Sequence, residues 1–378
     1  MKPLLPFNRP RVAGLEFEYI REAISRSHLA SGGEFSRRCE EWLEQTVGCA
    51  RALLTHSCTG ALEMAALLAD IAPGDEVVMP SFTFVSTANA FVLRGAVPVF
   101  VDIRPDTLNM DEMLVEAAMT PRTRAIVPVH YAGVGCEMEV INAVADAASV
   151  VVIGDAAQGL GSAYRGTPLG RLGAMAAVSF HETKNVIAGE GGALLLNRPE
   201  LVARAEIIRE KGTDRRRFSR GQVDKYTWVD LGSSFAPSEL TAAFLWAQME
   251  HAAEIRRRRL EVWGWYNDAF ADLERRGRLR RPYIPPHCEH NGHMYYVLLN
   301  DAQARTNVLA ALIDGGIQGV FHYVPLHTSA AGRRFARTAG PLPNTDSTAA
   351  RLIRLPMWIG LTPDDVDRAV SIVERVVG

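Results

Sequence analysis

Between residues 51 and 197 the chain alternates short apolar runs with helix-like stretches. The runs fall at Arg51–Thr55, Glu76–Met79, Val97–Asp102, Arg124–Val129, Ser149–Gly154, Met175–Phe180 and Ala193–Asn197. They are near-continuous in apolar residues rather than alternating, as expected of strands covered on both faces, and most gaps carry a helix-like segment. The pattern predicts an α/β fold with a mostly parallel seven-stranded sheet flanked by helices. Ligands of such sheets collect beyond the carboxyl ends of the strands. That rule puts Thr55–Thr59, Pro80–Phe84, Val129–Tyr131, Asp155–Gln158 and Ser179–Lys184 on one rim.

The flanks read differently. Val12 to Ser27 carries Leu15, Tyr19, Ile20, Ala23 and Ile24 at helical spacing, and Phe35 to Val47 carries Phe35, Cys39, Trp42, Leu43 and Val47 likewise, with Ala30-Ser-Gly-Gly33 as the break between them. Past the sheet, Arg204 to Lys211 continues a helix, Thr213 to Tyr226 is too charged to be core, and Glu239–Met249 and Arg256–Leu273 read as two long helices. Apolar runs at Met294–Leu299 and Ile317–Phe321, with helices at Thr306–Leu312 and Pro363–Val377, predict a smaller α+β unit. We therefore expect a large domain over residues 1–249 and a small carboxyl-terminal domain over 250–378.

Composition narrows the partners. The 378 residues are 48% hydrophobic, and 41 Lys+Arg against 43 Asp+Glu leave a formal net charge of −2, which argues against a nucleic acid as the main partner. Five cysteines, Cys39, Cys49, Cys58, Cys136 and Cys288, are scattered and form no CxxC pair, so neither a disulfide framework nor a metal cluster is expected. The stretch Met1–Pro10 has no apolar core of signal-peptide length, and no run of about 18 apolar residues occurs. The expectation is a cytoplasmic protein without a membrane span.

The chemistry centres on Ser179-Phe-His-Glu-Thr-Lys184, followed by Asn185 and glycines 189, 191 and 192. A lysine just past a buried strand either reaches water or serves as an amine. Asp155 ends the preceding strand on the same rim. That pair is what pyridoxal phosphate needs: an amine to form a Schiff base, and a carboxylate to keep the pyridine nitrogen protonated. Upstream, Thr55-His-Ser-Cys-Thr-Gly60 runs into the apolar helix Ala61–Leu68, which suits either an ordinary helix cap or a phosphate site at a helix N-terminus. Phe82 or Phe84 could stack on a ring, and spacing does not choose between them.

The ordered set Ser57-Cys-Thr59, Pro80-Ser-Phe-Thr-Phe84, Val129-His-Tyr-Ala-Gly133, Asp155-Ala-Ala-Gln158 and Ser179–Lys184 with Gly189-Glu-Gly-Gly192 resembles the DegT-type sugar-nucleotide aminotransferases, fold type I pyridoxal phosphate enzymes of the aspartate-aminotransferase kind. The resemblance covers essentially the whole chain. Arg209–Thr213, Gly221–Trp228 and Val320–His327 are most similar to the TDP-4-keto-6-deoxyglucose 4-transaminases, which make TDP-4-amino-4,6-dideoxygalactose for surface polysaccharides. It implies that L-glutamate and a nucleotide sugar are the substrates. It makes Lys184 the cofactor-binding lysine and proton shuttle, and Asp155 the partner of the ring nitrogen. Phe84 and Ala157 would flank the ring, Gln158 would lie near its phenolic oxygen, and Cys58, Thr59 and Ser179 would bind phosphate. His181, three residues before the lysine, is a further catalytic candidate.

Many relatives add an asparagine across a homodimer from a Gly-Tyr-Asn-Tyr-Arg motif. This chain reads Gly232-Ser-Ser-Phe-Ala236, which gives Ser234 that place and removes the arginine. Arg215-Arg-Arg217 is either a solvated face or a clamp for the substrate's pyrophosphate. His322, Tyr323 and His327 are taken as sugar-side residues by the same analogy. Amination at C3, a UDP sugar, and a non-catalytic homologue are the rival readings. A sugar dehydratase is disfavoured, because those relatives carry histidine where Lys184 stands.

Overall fold

The computed structural model describes residues 5–378. The first four residues, part of the stretch read above for a signal sequence, lie outside the described residues. The seven predicted strands form with small shifts at their ends: β1 (Arg51–Thr55), β2 (Glu76–Pro80), β3 (Val97–Val101), β4 (Thr123–Ile126), β5 (Val151–Asp155), β6 (Met175–Ser179) and β7 (Gly192–Leu196). Four more matter below: β8 (Leu279–Arg280), β9 (Tyr295–Leu299), β10 (Arg337–Thr338) and β11 (Leu352–Leu355). The large sheet runs in the order β1-β7-β6-β5-β4-β2-β3-β10. The pairs from β6 through β10 are parallel, whereas β7 is antiparallel to both β1 and β6. The edge strand β10 was not expected from the sequence; at two residues it is too short to leave a periodic signal.

Successive side chains of a strand point to opposite faces, and the cores follow that parity. Leu53, Met175, Ala177, Leu194 and Leu196 pack on one face with helix Cys58–Leu68. Ala52, Leu54, Ala176, Val178, Ala193 and Leu195 pack on the other, with helices Glu34–Val47 and Glu239–Glu250. Both faces are therefore dry, and so the strands read as continuous apolar runs.

One long-range cap joins the amino-terminal helices to the rest. Helix Glu34–Val47 starts after Gly33, which has no side chain to cap it. Glu239 does so from across the chain, accepting from the amides of Gly33 (3.0 Å), Phe35 (2.9 Å) and Ser36 (3.1 Å) and from the Ser36 hydroxyl. A Cβ at Gly33 would lie 2.6 Å from the Glu239 carboxyl carbon, so only glycine permits this approach. Where the sequence holds Thr362-Pro-Asp-Asp365 a local capping box forms instead, opening the final helix Pro363–Val377.

The carboxyl-terminal part has its own antiparallel sheet, β8-β9-β11, and its own core of Val262, Tyr266, Tyr295, Val297, Leu312 and Ile353 with residues of the last helix. The run Ile317–Phe321 does not form the expected strand. Gly315 and Gly316 precede it and Gly319 interrupts it, and it pairs one residue at a time, Ile317 with Leu5 and Val320 with Arg354. The expected Arg256–Leu273 helix spans Ala252–Ala269, followed by a short turn of helix at Ala271–Arg275. Its four arginines diverge, as their spacing implies: Arg259 is buried against the carbonyls of Gly292, His293 and Met357, while Arg257 and Arg258 pair with Glu254 outside.

Candidate active site

A cavity of about 470 Å³ opens at the carboxyl ends of the parallel strands. Cys58, Thr59, Thr83, Phe84, Asp155, Ala157, Gln158, Ser179, His181 and Lys184 all line it, so five rim segments predicted from the strand pattern contribute to one space. From outside the large sheet come Phe7, His293, His322, Tyr323 and Arg354.

The loop after β6 is fixed by its own backbone. Phe180 donates to the Gly191 carbonyl (2.8 Å), Ala188 to Phe180 (2.7 Å), Glu182 to Gly189 (2.8 Å) and Lys184 to His181 (2.8 Å). The Phe180 ring is wholly buried beneath it. Gly189 takes a φ of 79°, which a side chain would strain. Asn185 ties the loop to the carboxyl-terminal part, donating to the Asn291 carbonyl at 2.9 Å and meeting His293 Nδ1 at 3.1 Å. The short glycine run thus leaves a pinned loop. Lys184 is half-buried at the cavity wall, and desolvation there lowers its pKa from the ordinary lysine value; Cys58 and Asp155 push it back up and Arg354 pushes it further down.

Asp155 is the last residue of β5 and is buried. Its Oδ2 accepts from Thr87 Oγ1 (2.7 Å), which meets Thr83 Oγ1 at 2.8 Å, and its Oδ1 accepts from the Ala157 amide at 3.1 Å. Burial raises its pKa, opposed by those two donors and by Lys184. A carboxylate so placed is stabilised by any cation brought against it. At the other end, helix Cys58–Leu68 is capped by Ser57, whose hydroxyl accepts from the Gly60 amide at 3.0 Å. The amides of Cys58 and Thr59 have no intrahelical acceptor. The hydroxyls of Thr59, Ser86 and Ser179 stand around them, with Thr59 Oγ1 2.7 Å from Ser86 Oγ. Gly192 of β7 lies so close to this turn that a Cβ would sit 2.4 Å from the Cys58 nitrogen.

These groups fit pyridoxal phosphate. A buried carboxylate faces one end, a helix N-terminus ringed by hydroxyls the other, and the Lys184 amine borders the space between. Phe82 is 1% exposed and packs edge-on to Tyr131 and Tyr323, whereas Phe84 is 59% exposed and lines the cavity. Spacing could not separate the two; burial does. Gln158 is engaged at both ends, its Oε1 accepting from the Ala132 amide (2.7 Å) and its Nε2 donating to Tyr323 Oη (3.1 Å). His181 lies at the cavity wall with Nδ1 2.9 Å from Thr183 Oγ1 and Nε2 3.6 Å from Glu190.

Some expected residues are elsewhere. Ser234 is exposed, bridges to Glu210, and does not line its own chain's cavity. Arg216 is drawn into an ionic network, donating to Glu206 at 2.9 Å, and none of Arg215, Arg216 or Arg217 lines the cavity. His327 turns to Ser81 at 2.8 Å and to Asp346, away from it. His322 and Tyr323 do line it, with His322 Nδ1 3.0 Å from Tyr131 Oη. Sequence reasoning missed Thr87, three residues past the quoted run Pro80–Phe84. It also missed Phe7, His293 and Arg354, which no local pattern connects to the rim.

The family model for DegT/DnrJ/EryC1/StrS aminotransferases matches residues 10–374. The chain is 31% identical to the spore coat polysaccharide biosynthesis protein SpsC of Bacillus subtilis, over 99% of this chain and 97% of SpsC. Among solved structures, DesI, studied in the presence of its TDP-sugar product, is 30% identical at a TM-score of 0.89, covering 100% of this chain and 93% of DesI. DesV of S. venezuelae is 29% identical at a TM-score of 0.89, covering 99% and 98%. Motif order, cavity and whole-chain similarity agree, and the protein belongs to the DegT/DnrJ/EryC1/StrS aminotransferase family as a fold type I, pyridoxal-phosphate-dependent sugar aminotransferase.

Proposed function

We propose that this enzyme moves the amino group of L-glutamate to the C4 keto group of a nucleotide-linked 4-keto-6-deoxyhexose, giving TDP-4-amino-4,6-dideoxygalactose for surface polysaccharide. The observation that carries the reading is one cavity holding Lys184 between Asp155 and the N-terminus of helix Cys58–Leu68. The name of SpsC and the TDP-sugar product of DesI support the substrate class.

When bound, pyridoxal phosphate supplies an electron-accepting ring that carries the amino group between donor and acceptor. The chain's residues do the rest. Asp155, held by Thr87 and the Ala157 amide, keeps the ring nitrogen cationic. Cys58, Thr59 and Ser179 would hold the phosphate, Phe84 and Ala157 would flank the ring, and Gln158 would serve its phenolic side. Lys184 Nζ, kept partly neutral by burial, takes a proton from the donor carbon and returns it. His181 assists from the loop.

We place the enzyme in the cytoplasm as a homodimer with its sites near the subunit interface. Phe84, Trp228, Val229 and Leu231 are each more than half exposed, and a second copy would cover them and bring Ser234 to the neighbouring phosphate. Residues 250–378 act as the smaller domain that closes the cavity.

The test is to supply the purified enzyme with L-glutamate and each of four acceptors, TDP- or UDP-linked, with the keto group at C3 or C4. Nuclear magnetic resonance of the product should find the amine at C4 of the TDP sugar with the galacto configuration. A C3 amine, or preference for the UDP sugar, would refute the assignment while leaving transamination intact.

A further inference from the structure

His293 borders the cavity just ahead of β9, and the functions above leave it without a task. Its neighbours dictate its tautomer. Asn185, which follows Lys184, donates its Nδ2 to the Asn291 carbonyl at 2.9 Å and so turns its Oδ1 to His293 Nδ1, 3.1 Å away. An amide oxygen only accepts, so Nδ1 carries the ring proton and Nε2 keeps a bare lone pair. The backbone beside the ring is pinned as well. The His293 amide donates to Asn291 Oδ1 (3.0 Å), its carbonyl accepts from Arg259 (2.6 Å), and Asn291 donates to the Gln158 and Leu160 carbonyls (both 2.8 Å). Nδ1 is therefore committed to structure, and the remaining polar atom of the ring, Nε2, has no hydrogen-bond partner among the described residues.

The surroundings narrow what could meet that atom. Desolvation, then Lys184, Arg259, Arg354 and His322, hold the His293 pKa well below the ordinary histidine value, so the ring stays neutral and Nε2 stays an acceptor. A buried acceptor without a partner is costly, and a hydrogen-bond donor on a ligand relieves that cost. Carboxylates and phosphates bring no hydrogen near neutral pH, and the amine of the amino-acid substrate is the group being transferred. Lys184 is drawn elsewhere, its charged form favoured by Cys58 and Asp155. The hydroxyls of the sugar remain.

We propose that His293 Nε2 accepts a hydrogen bond from the sugar hydroxyl beside the reacting ketone, at C3 of a 4-keto-6-deoxyhexose. The ring is tied to the residue that follows Lys184, which places it near the reacting carbon. Of the two carbons flanking C4, C5 carries the methyl group and no hydroxyl, so C3 supplies the hydrogen. A site built around such a bond rejects a sugar that lacks the hydroxyl, because the fixed acceptor is then stranded. This rests on the keto-sugar reading above and names the group by which that sugar is recognised.

The test pairs two substrates with two variants. The pyridoxamine-phosphate-loaded enzyme is given the TDP-linked 4-keto-6-deoxyhexose or its 3-deoxy analogue. Asparagine puts its amide nitrogen where Nδ1 stands, and glutamine puts its oxygen where Nε2 stands. His293→Asn therefore keeps the tie to Asn185, and His293→Gln keeps the acceptor in the cavity. Wild type should prefer the 3-hydroxy sugar by about tenfold or more in kcat/KM, on the cost of stranding a desolvated acceptor. His293→Gln should retain most of that preference. His293→Asn should shrink it to within about threefold, while its conversion of the pyridoxal-phosphate-loaded form by L-glutamate stays within about threefold of wild type, as for a group that meets only the sugar. The same contrast should appear in the Kd of the two 4-amino products for the pyridoxal-phosphate-loaded enzyme, read from its absorbance. A residue that merely ties the loop would give the reverse order, with the preference kept in His293→Asn and both sugars losing equally in His293→Gln; that result, or a loss shared by the glutamate half-reaction, would overturn the proposal. A wild type active on both sugars without preference would overturn it alone. A wild type that aminates neither would overturn the C4 assignment, and this proposal with it.

Discussion

Of the 41 cationic side chains only Lys2, Lys184, Lys211 and Lys225 are lysines. Arginine cannot lose its proton in a protein, so a chain that otherwise prefers arginine keeps lysine where a neutral amine is wanted. That bias is a compositional signal for Lys184 that a motif search does not use. The sign of its titration follows from its surroundings. Burial disfavours the ammonium and Arg354 adds repulsion, so the amine becomes free at a lower pH than an ordinary lysine. In apoprotein, Lys184 should be acylated half-maximally below about pH 10.4, the usual lysine value. In Arg354→Gln the midpoint should move up, since one source of repulsion is gone. A midpoint at the ordinary value in wild type would contradict the reading. Asp155 is tuned through Thr87, so Thr87→Val should lower turnover roughly tenfold and Asp155→Asn about 100-fold or more, consistent with a group supporting a charged contact and with its loss. Phe84 and Phe82 were not separable in sequence because they sit two apart on the same strand-to-helix turn; only the packing of Phe82 against Tyr131 decides.

At the scale of elements, strands were legible to within one to three residues because both faces of the sheet are dry and periodicity has nothing to alternate. What was not legible were interactions between segments far apart in sequence. Glu239 caps a helix that begins some two hundred residues earlier, and nothing near Gly33 announces it. Glu239→Ala should cost on the order of 3 kcal/mol, since three amides and a hydroxyl lose a charged acceptor; urea denaturation measures it, and a midpoint shift within error would refute it. Glu76 opens β2 and joins three segments, accepting from Thr120 (2.8 Å), Arg122 (2.6 Å) and Arg337 of β10 (2.8 and 3.1 Å). Chiefly the Arg337 hydrogen bonds, with Arg122 and Thr120, hold its pKa down at about 2. A depressed carboxylate contributes its stability above the unfolded value of 4.5 and loses it as pH falls toward 2. Glu76→Gln should therefore lose about 2 kcal/mol at pH 7 and show a flatter acid limb between pH 5 and 3, read by denaturation at stepped pH.

For the whole molecule, the sheet, its rim and the family were readable from the order of five motifs. The far wall of the cavity was not: Phe7, His293, His322 and Arg354 reach it from segments separated by hundreds of residues, and only the packing of the carboxyl-terminal sheet brings them in. The exposed side chains of Phe84, Trp228 and Leu231 belong to this scale as well. Size-exclusion chromatography with light scattering should give a dimer for wild type. Trp228→Glu with Leu231→Asp should give a monomer that holds pyridoxal phosphate more weakly, if Ser234 reaches across. A monomeric wild type, or a monomeric variant with undiminished cofactor affinity, would refute the shared site.

The central claim is that Lys184 is the amine to which the cofactor attaches. Borohydride reduction of the loaded enzyme, followed by proteolysis and mass spectrometry, tests it most directly, because so few lysines compete. The pyridoxyl group is expected on Lys184 alone, and on no residue after prior conversion with L-glutamate. A label on Lys211 or Lys225, or none on Lys184, would contradict the account.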